Sequence, residues 1–366
     1  TLSPSSAASD VYKRQPYIEY GENIMETLRR IQLTGGATYT ISLPKNWANK
    51  RGIKPRDVLL IRELPDGSLL VSPPTKAPSL KNKLAKISMM KDDPDSLVRL
   101  AVAAYIAGYN TIEVTLLSGC FSPRCVEKAK AVIIRKLIGV ELVEEAMEKL
   151  VLQVFIHHID FPVTKIVQRM TLLATHMYLD ALKALKMRNA EVLREIMNRD
   201  DEVDRLYVLA TRQLTLAIRF PELLHEIGLH ELRDCLEFRL VTRHLERVAD
   251  HAVVVSKNLL EIIHKTVGKG LLGGLENYVN SALEALRYSV DAVISRNVAK
   301  ANQAIRVREE VRAKEEHLVA KALERRRSNI REVAALRMIL ESIRRVTEYS
   351  AGIAEIAVNF STKIPL

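Results

Sequence analysis

The chain has 366 residues, 48% apolar and 27% charged, the balance of an ordinary globular protein with room for two or three domains. Its 55 Lys and Arg against 44 Asp and Glu leave a net charge of +11, which favours a polyanionic partner, either nucleic acid or the inner membrane surface. No apolar run approaches the roughly 18 to 20 residues of a membrane span, and the N-terminal stretch has no hydrophobic signal core. Cys120, Cys125 and Cys235 form no metal-ligand or CxxC spacing. The expectation is a cytoplasmic protein with reduced thiols.

Residues 1–15, TLSPSSAASDVYKRQ, are small and polar without periodicity and are expected to be a non-native or disordered leader. The next stretch changes character. METLRRIQL and ATYTISL read as strands around the turn Gly35-Gly36, the second alternating Tyr39, Ile41 and Leu43 against Thr38, Thr40 and Ser42. LPKNWANKRG reads as a short helix opened by Pro44 and closed by Gly52. DVLLIREL and SLLVSP are strands around Pro65-Asp66-Gly67. A unit this small cannot bury much surface alone, and intertwining with a second copy would solve that.

The succession TGGATYTISLPKNW, GIKPRDVLLI, DGSLLVSPP resembles the AbrB/SpoVT swapped-hairpin DNA-binding domain. The resemblance implies a homodimer that reads DNA with basic residues of its ribbon and adjoining loops. Here those would be Arg29, Arg30, Lys45, Lys50 and Arg51. An oligomerisation module without DNA binding is the competing reading. Trp47, the single tryptophan, reads as packing rather than base stacking.

Residues 73–93 form a Pro- and Lys-rich connection entering a short helix or strand. DPDSLVRLAVAAYIAGY then reads as an amphipathic helix ended by Gly108, TIEVTLL as a strand and SPRCVEKAKAVIIRKLIG as a helix. VELVEEA and KLVLQVFI are two further strands. This α/β segment carries no evident chemistry: Cys120 and Cys125 stand at a helix entrance without a nearby base.

Beyond Asp160, a capping residue with Pro162 in the first turn, the pattern is helical throughout. Helices are expected near 161–187, 190–218, 229–265, 275–295, 297–326 and 329–361. VGKGLLGG, 267–274, serves as a linker between two sets of three, and its GKG does not fit a phosphate loop. The sets read as an internal duplication. RNAEVL at 188 aligns with RNVAKA at 296, an offset of 108, and LERVADHA at 245 with IRRVTEYS at 343, an offset of 98.

The chemistry lies in two acidic pairs. Asp200 and Asp204 in NRDDEVDRL, and Glu246 and Asp250 in RHLERVADHA, are each four apart and so share a helix face. Two antiparallel helices bringing the pairs together would offer four carboxylates to a hard cation or iron. Solvated carboxylates balanced by Arg199, Arg205, Arg243 and Arg247 are the competing reading. His244 and His251 flank the second pair and are further candidate ligands, whereas the histidines at 157–158 read as a strand end and ERRR at 324–327 as a solvated hairpin tip. Under the two offsets the second repeat presents Arg308, Arg312, Arg344 and Glu348 at the carboxylate positions. A metal site in the second repeat is therefore not expected. The arginines of the second can hold an anion, or pair instead with Glu309, Glu310, Glu341 and Glu348.

RHLERVADHA together with DDEVDRL resembles the hallmark segments of PhoU-type phosphate-uptake regulators, over roughly 160–362, and the α/β segment resembles the joining region of archaeal members. The resemblance implies that the acidic pairs bind a metal ion (iron, zinc, magnesium or calcium) on a helical bundle. It also implies a partner, the ATPase subunit of the phosphate ABC transporter. The expected architecture is multidomain and mainly α. It comprises a swapped-hairpin β domain at 16–78, an α/β connecting domain at 79–158, and a PhoU-like pair of three-helix bundles at 159–366, with repeats near 160–266 and 275–362. The function read from this is a non-enzymatic transcriptional regulator of phosphate uptake. The alternatives are a PhoU-like transporter accessory without DNA binding, and a carboxylate-bridged metalloenzyme. No Glu-x-x-His pair stands among the residues that would line such an enzyme's centre.

Overall fold

A computed structural model of the chain describes residues 29–63, 67–73, 83–156, 161–264, 269–323 and 330–361. The expectations placed on 1–15, Pro65-Asp66, the histidines at 157–158, Asp160 and 324–327 lie outside the described residues. The chain divides into two compact units at the junction of 82 and 83.

In the first unit, β1 (Gln32–Thr34) pairs antiparallel with β2 (Thr38–Thr40), placing Leu33 opposite Tyr39. Gly35 and Gly36 make the turn, both at positive φ. The short helix α1 (Lys45–Lys50) follows Pro44, and β3 (Leu60–Glu63) pairs with β4 (Leu69–Ser72). The strands are shorter than the runs METLRRIQL and ATYTISL, and the two hairpins form separate sheets. None of the described side chains in this unit is buried. Tyr39 is 76% exposed, Val58 72% and Ile61 61%.

The second unit begins with a four-stranded sheet of order β5-β6-β8-β7, built from β5 (Leu84–Met89), β6 (Thr111–Leu116), β7 (Val140–Glu145) and β8 (Lys149–Val154). β5 and β6 are parallel, and their register sets Ala85, Ile87 and Met89 beside Ile112, Val114 and Leu116, all six buried. This is the period-two alternation of a sheet with one covered face. Helices α2 (Pro94–Ile106) and α3 (Pro123–Lys136) carry Pro at their starts, with Asp93 and Ser122 as N-caps accepting from the free backbone N–H groups. Burial pushes the Cys125 thiol up to about 12, so it is unreactive at neutral pH.

Among the described residues six α-helices complete the unit: α4 (Val163–Met187), α5 (Ala190–Arg219), α6 (Leu232–Ile262), α7 (Lys269–Ser295), α8 (Val298–Leu323) and α9 (Ile330–Asn359). The α4–α6 and α7–α9 sets each pack internally and meet chiefly where α6 lies against α9. Local geometry repeats with the sequence. Arg188 and Arg296, 108 positions apart, both end a helix in the left-handed conformation (φ 54° and 50°). In each case the next residue caps the following helix: Asn189 accepts from Glu191 N, and Asn297 from Lys300 N.

One expectation needs correction. The 267–274 stretch is not a linker over its length, because α7 starts at Lys269 and takes in Gly270, Gly273 and Gly274. A Cβ on Gly274 would lie 2.5 Å from Leu318 Cδ2, so the glycine lets α7 approach α8 closely.

Candidate functional site

α5 and α6 run antiparallel. Their alignment is fixed midway by Tyr207, whose ring lies 4.5 Å from Arg239 Cζ and 5.6 Å from Arg243 Cζ. One to two turns further along, Asp200 and Asp204 on α5 come opposite Glu246 and Asp250 on α6. Leu245, Val248, Ala249 and Ala252 are fully buried and pin that face of α6 into the bundle, which leaves the carboxylates half-buried at its margin.

The quartet behaves as one electrostatic unit. Burial, and then the charges of Asp204, Asp250 and Glu246, push the Asp200 carboxyl up to about 7. Asp204 is raised by burial and by Asp250, and Glu246 by burial and by Asp250 against the pull of Arg243 and Arg247. Two oxygens, Asp200 Oδ1 and Glu246 Oε2, are buried without a hydrogen-bond partner, the second with Arg247 Nε 3.8 Å away. A buried carboxylate oxygen left in that state costs free energy unless a cation or proton meets it.

Arginines of α6 engage the other half of the site. Arg243 Nη1 donates to Glu246 Oε1 at 2.6 Å, and Arg247 Nη1 to Asp250 Oδ2 at 3.1 Å. Held this way, Glu246 and Asp250 are paired within their own helix. Among the described residues no three His, Cys, Asp or Glu side chains converge in ligand geometry. The donor set is all oxygen, partly orphaned and anionic, which fits a hard cation once Glu246 and Asp250 swing off their arginines.

The structure brings Asp200, Asp204, Glu246 and Asp250 together, but not the two histidines. His244 and His251 share a face, as their spacing requires, and that face turns towards α9. Their rings lie 5.6 and 5.8 Å from the Tyr349 ring, in the seam between the repeats. Of the arginines at the matching positions, Arg344 is engaged by carboxylates of Glu315, Glu341 and Glu348, and Arg308 Nη2 lies 3.3 Å from Glu309. Arg312 is exposed. Glu315 is buried and escaped the sequence reading, since nothing in a run of alternating charges on α8 marks it as inward-facing.

A second feature missed from sequence ties the site to the α/β segment. Arg212, 3% exposed on α5, donates from Nη1 to the carbonyls of Tyr105 (2.5 Å) and Tyr109 (2.8 Å) and from Nη2 to Asn110 Oδ1 (2.7 Å). Burial lowers its pKa to about 10. Nearby, Gly108 stands at φ 91°, where a Cβ would meet Leu216 Cδ2 at 2.5 Å. Arg135 on α3 lies 3.6 Å from Asp201, next to Asp200.

Two family models match parts of the chain. The PhoU domain model matches residues 167–259 and again 275–357. The helical part of the chain is a tandem pair of PhoU domains. The carboxylate quartet lies within the first domain and Arg344 at the matching place in the second. A model of the antidote-toxin recognition domain of MazE, a bacterial antitoxin, matches residues 32–79, so an AbrB-like N-terminal segment precedes the PhoU pair. Among solved structures, the chain is similar to the phosphate transport system regulatory protein PhoU from Streptococcus pneumoniae, at 20% identity and a TM-score of 0.47 over 55% of this chain and 93% of that one. PhoU from Pseudomonas aeruginosa matches at 16% identity and a TM-score of 0.48 over 54% and 95%. No curated protein matches the chain.

The five basic residues expected to meet DNA, Arg29, Arg30, Lys45, Lys50 and Arg51, are all exposed in the first unit. Lys45 and Lys50 lie on α1, Arg51 ends it, and Arg29 and Arg30 lead into β1. Among the described residues no helix is long and apolar enough to cross a membrane.

Proposed function

We propose that the protein is a cytoplasmic, homodimeric transcriptional regulator of phosphate uptake, in which the PhoU pair senses and the N-terminal unit binds DNA. The observation that carries this reading is the joining of two PhoU domains to a MazE-like N-terminal segment in one chain. The dimer is supported by the exposed Tyr39, Val58 and Ile61 of a unit none of whose described side chains is buried, which a second copy would cover. DNA is supported by the five exposed basic side chains on the same unit and by the net charge of +11.

In this reading Asp200, Asp204, Glu246 and Asp250 hold a divalent cation or iron, which cancels their mutual repulsion and fixes the α5–α6 hairpin. The protein partner is the ATPase subunit of a phosphate ABC transporter, whose state the bundle relays. Selection from a random duplex library by the full-length protein at low salt tests the DNA assignment. Enrichment of a two-fold symmetric motif is expected, and a library left unenriched refutes it. Analytical ultracentrifugation of the full chain should give a dimer that Ile61→Glu dissociates; a wild-type monomer would remove the basis for the N-terminal assignment. A transporter accessory without a DNA role is then the reading left standing.

A further inference from the structure

The two PhoU repeats solve the same electrostatic problem in different ways. In the first, the carboxylates of α5 face those of α6 across the groove, and the nearby arginines, Arg243 and Arg247, engage only the α6 pair. Asp200 Oδ1 remains without a hydrogen-bond partner, and Glu246 Oε2 has only Arg247 Nε at 3.8 Å. In the second repeat a guanidinium stands where Glu246 stands in the first. Arg344 Nε lies 3.2 Å from Glu315 Oε2 on α8, Nη2 lies 3.3 Å from Glu341 Oε1, and Nη1 donates to Glu348 Oε1 on α9. Arg345 Nη1 takes the second oxygen of Glu348 at 2.7 Å. Every nitrogen of the Arg344 fork thus meets a carboxylate, and those carboxylates come from both helices, as the ligands of a bridging metal would.

We propose that Arg344 is a built-in cation that permanently occupies the second repeat, so that only the first repeat exchanges metal. This rests on the metal reading of the first repeat given above. The physical reason is competition. A metal entering the second site must displace a tethered, always-protonated guanidinium from three carboxylates and then sit beside its charge. Nothing comparable defends Asp200 and Asp204. Arginine also lacks the lability of an ion, so the α8–α9 hairpin is held closed at all metal concentrations.

The division has a consequence for signalling. The exchangeable site lies on α5, the helix that grips the α/β segment through Arg212 and, beside Asp200, through the Arg135–Asp201 contact. Metal loading therefore acts on the hairpin joined to that segment, and the second repeat serves as a fixed support against which it moves.

Hydrogen exchange with mass-spectrometric readout, together with elemental analysis, separates the alternatives on the full-length protein stripped by chelation and reloaded with Mn2+. In the wild type, Mn2+ at about 100 times its dissociation constant should slow exchange in α5–α6 peptides by up to about 100-fold and leave α8–α9 unchanged. Arg344→Met should keep the α5–α6 protection and gain Mn2+ above the wild-type content, because Glu315, Glu341 and Glu348 are freed, while metal-free α8–α9 exchanges faster. Arg344→Lys, which keeps a cation and guards against a misfolded Met variant, should fall between. Equal Mn2+ protection of both hairpins in the wild type would overturn the proposal, as would Mn2+ lost from the first repeat in Arg344→Met. Should the wild type retain no Mn2+, the metal reading of the first repeat fails. The role of Arg344 is then decided by its own effect on α8–α9, and unchanged exchange there refutes it.

Discussion

Arg296 Nη2 lies 2.6 Å from Asp234 Oδ2, joining the turn between α7 and α8 to the first turn of α6. Asp234 is 1% exposed and also accepts from the backbone N–H groups of His230 and Glu231. Arg296 further covers the ring of Phe360, with Cζ 4.5 Å from its centroid. One residue thus fastens the second repeat to the first, from a left-handed backbone position (φ 50°) that favours glycine. Arg296→Ala should cost about 1–3 kcal/mol, because the two N–H bonds to the Asp234 carboxylate remain. Arg296→Gly loses the same ion pair but fits the backbone, so it should cost less than the alanine variant. Urea denaturation of the two variants gives the comparison; a less stable glycine variant would contradict it.

Arg212 should be the costliest single side chain to shorten at the junction of sheet and bundle. Arg212→Met removes the guanidinium donors from the Tyr105 and Tyr109 carbonyls and from Asn110 Oδ1, while the Gly108 N–H remains on Tyr105 O, a loss of about 2–4 kcal/mol. Arg212→Lys cannot reach three acceptors in a fork and should recover only part of it. Denaturant midpoints measure both, and a variant within 0.5 kcal/mol of wild type, roughly the scatter of surface substitutions, would refute the assignment.

The metal-free protein should lose stability as pH rises from the ordinary carboxylate range to about 7. Asp200 is pushed up to about 7 when folded, so across that window the folded state keeps a proton that the unfolded chain has released. Stability then falls with pH, opposite in sign to a salt-bridged aspartate, and levels off above neutrality. Asp200→Asn should flatten the decline. Thermal melts of wild type and variant after chelation check this, and parallel pH profiles would show that Asp200 does not titrate as described. Added metal should restore stability most at the alkaline end, where the quartet is fully charged.

If the first unit binds DNA through phosphates, log K should fall linearly with log salt by about 0.9 per phosphate neutralised. Arg29→Ala with Arg30→Ala should reduce that slope by about 1.8, one phosphate for each arginine. Fluorescence anisotropy across a salt series measures it, and an unchanged slope would remove those two residues from the interface.

The helices and their partition into two repeats could be read from the chain because their signals are local. Stripe spacing and the recurring Arg-Asn pair at 188 and 296 are short-range patterns that the backbone obeys directly. The acidic pairs were equally plain, since spacing of four settles which side chains share a face whatever the packing. Their meeting across α5 and α6 depended on the antiparallel alignment of two helices. The same tertiary packing directed His244 and His251 to Tyr349 instead of the quartet, because the residues on that side of α6 face α9. Gly274 read as a linker since a glycine's low helix propensity is local, whereas the close approach of Leu318 that justifies it comes from another helix. Arg212 and Glu315 looked like ordinary charges on charged helices. Only the neighbours brought by folding, three acceptors for one and the Arg344 guanidinium for the other, compensate the burial of those charges.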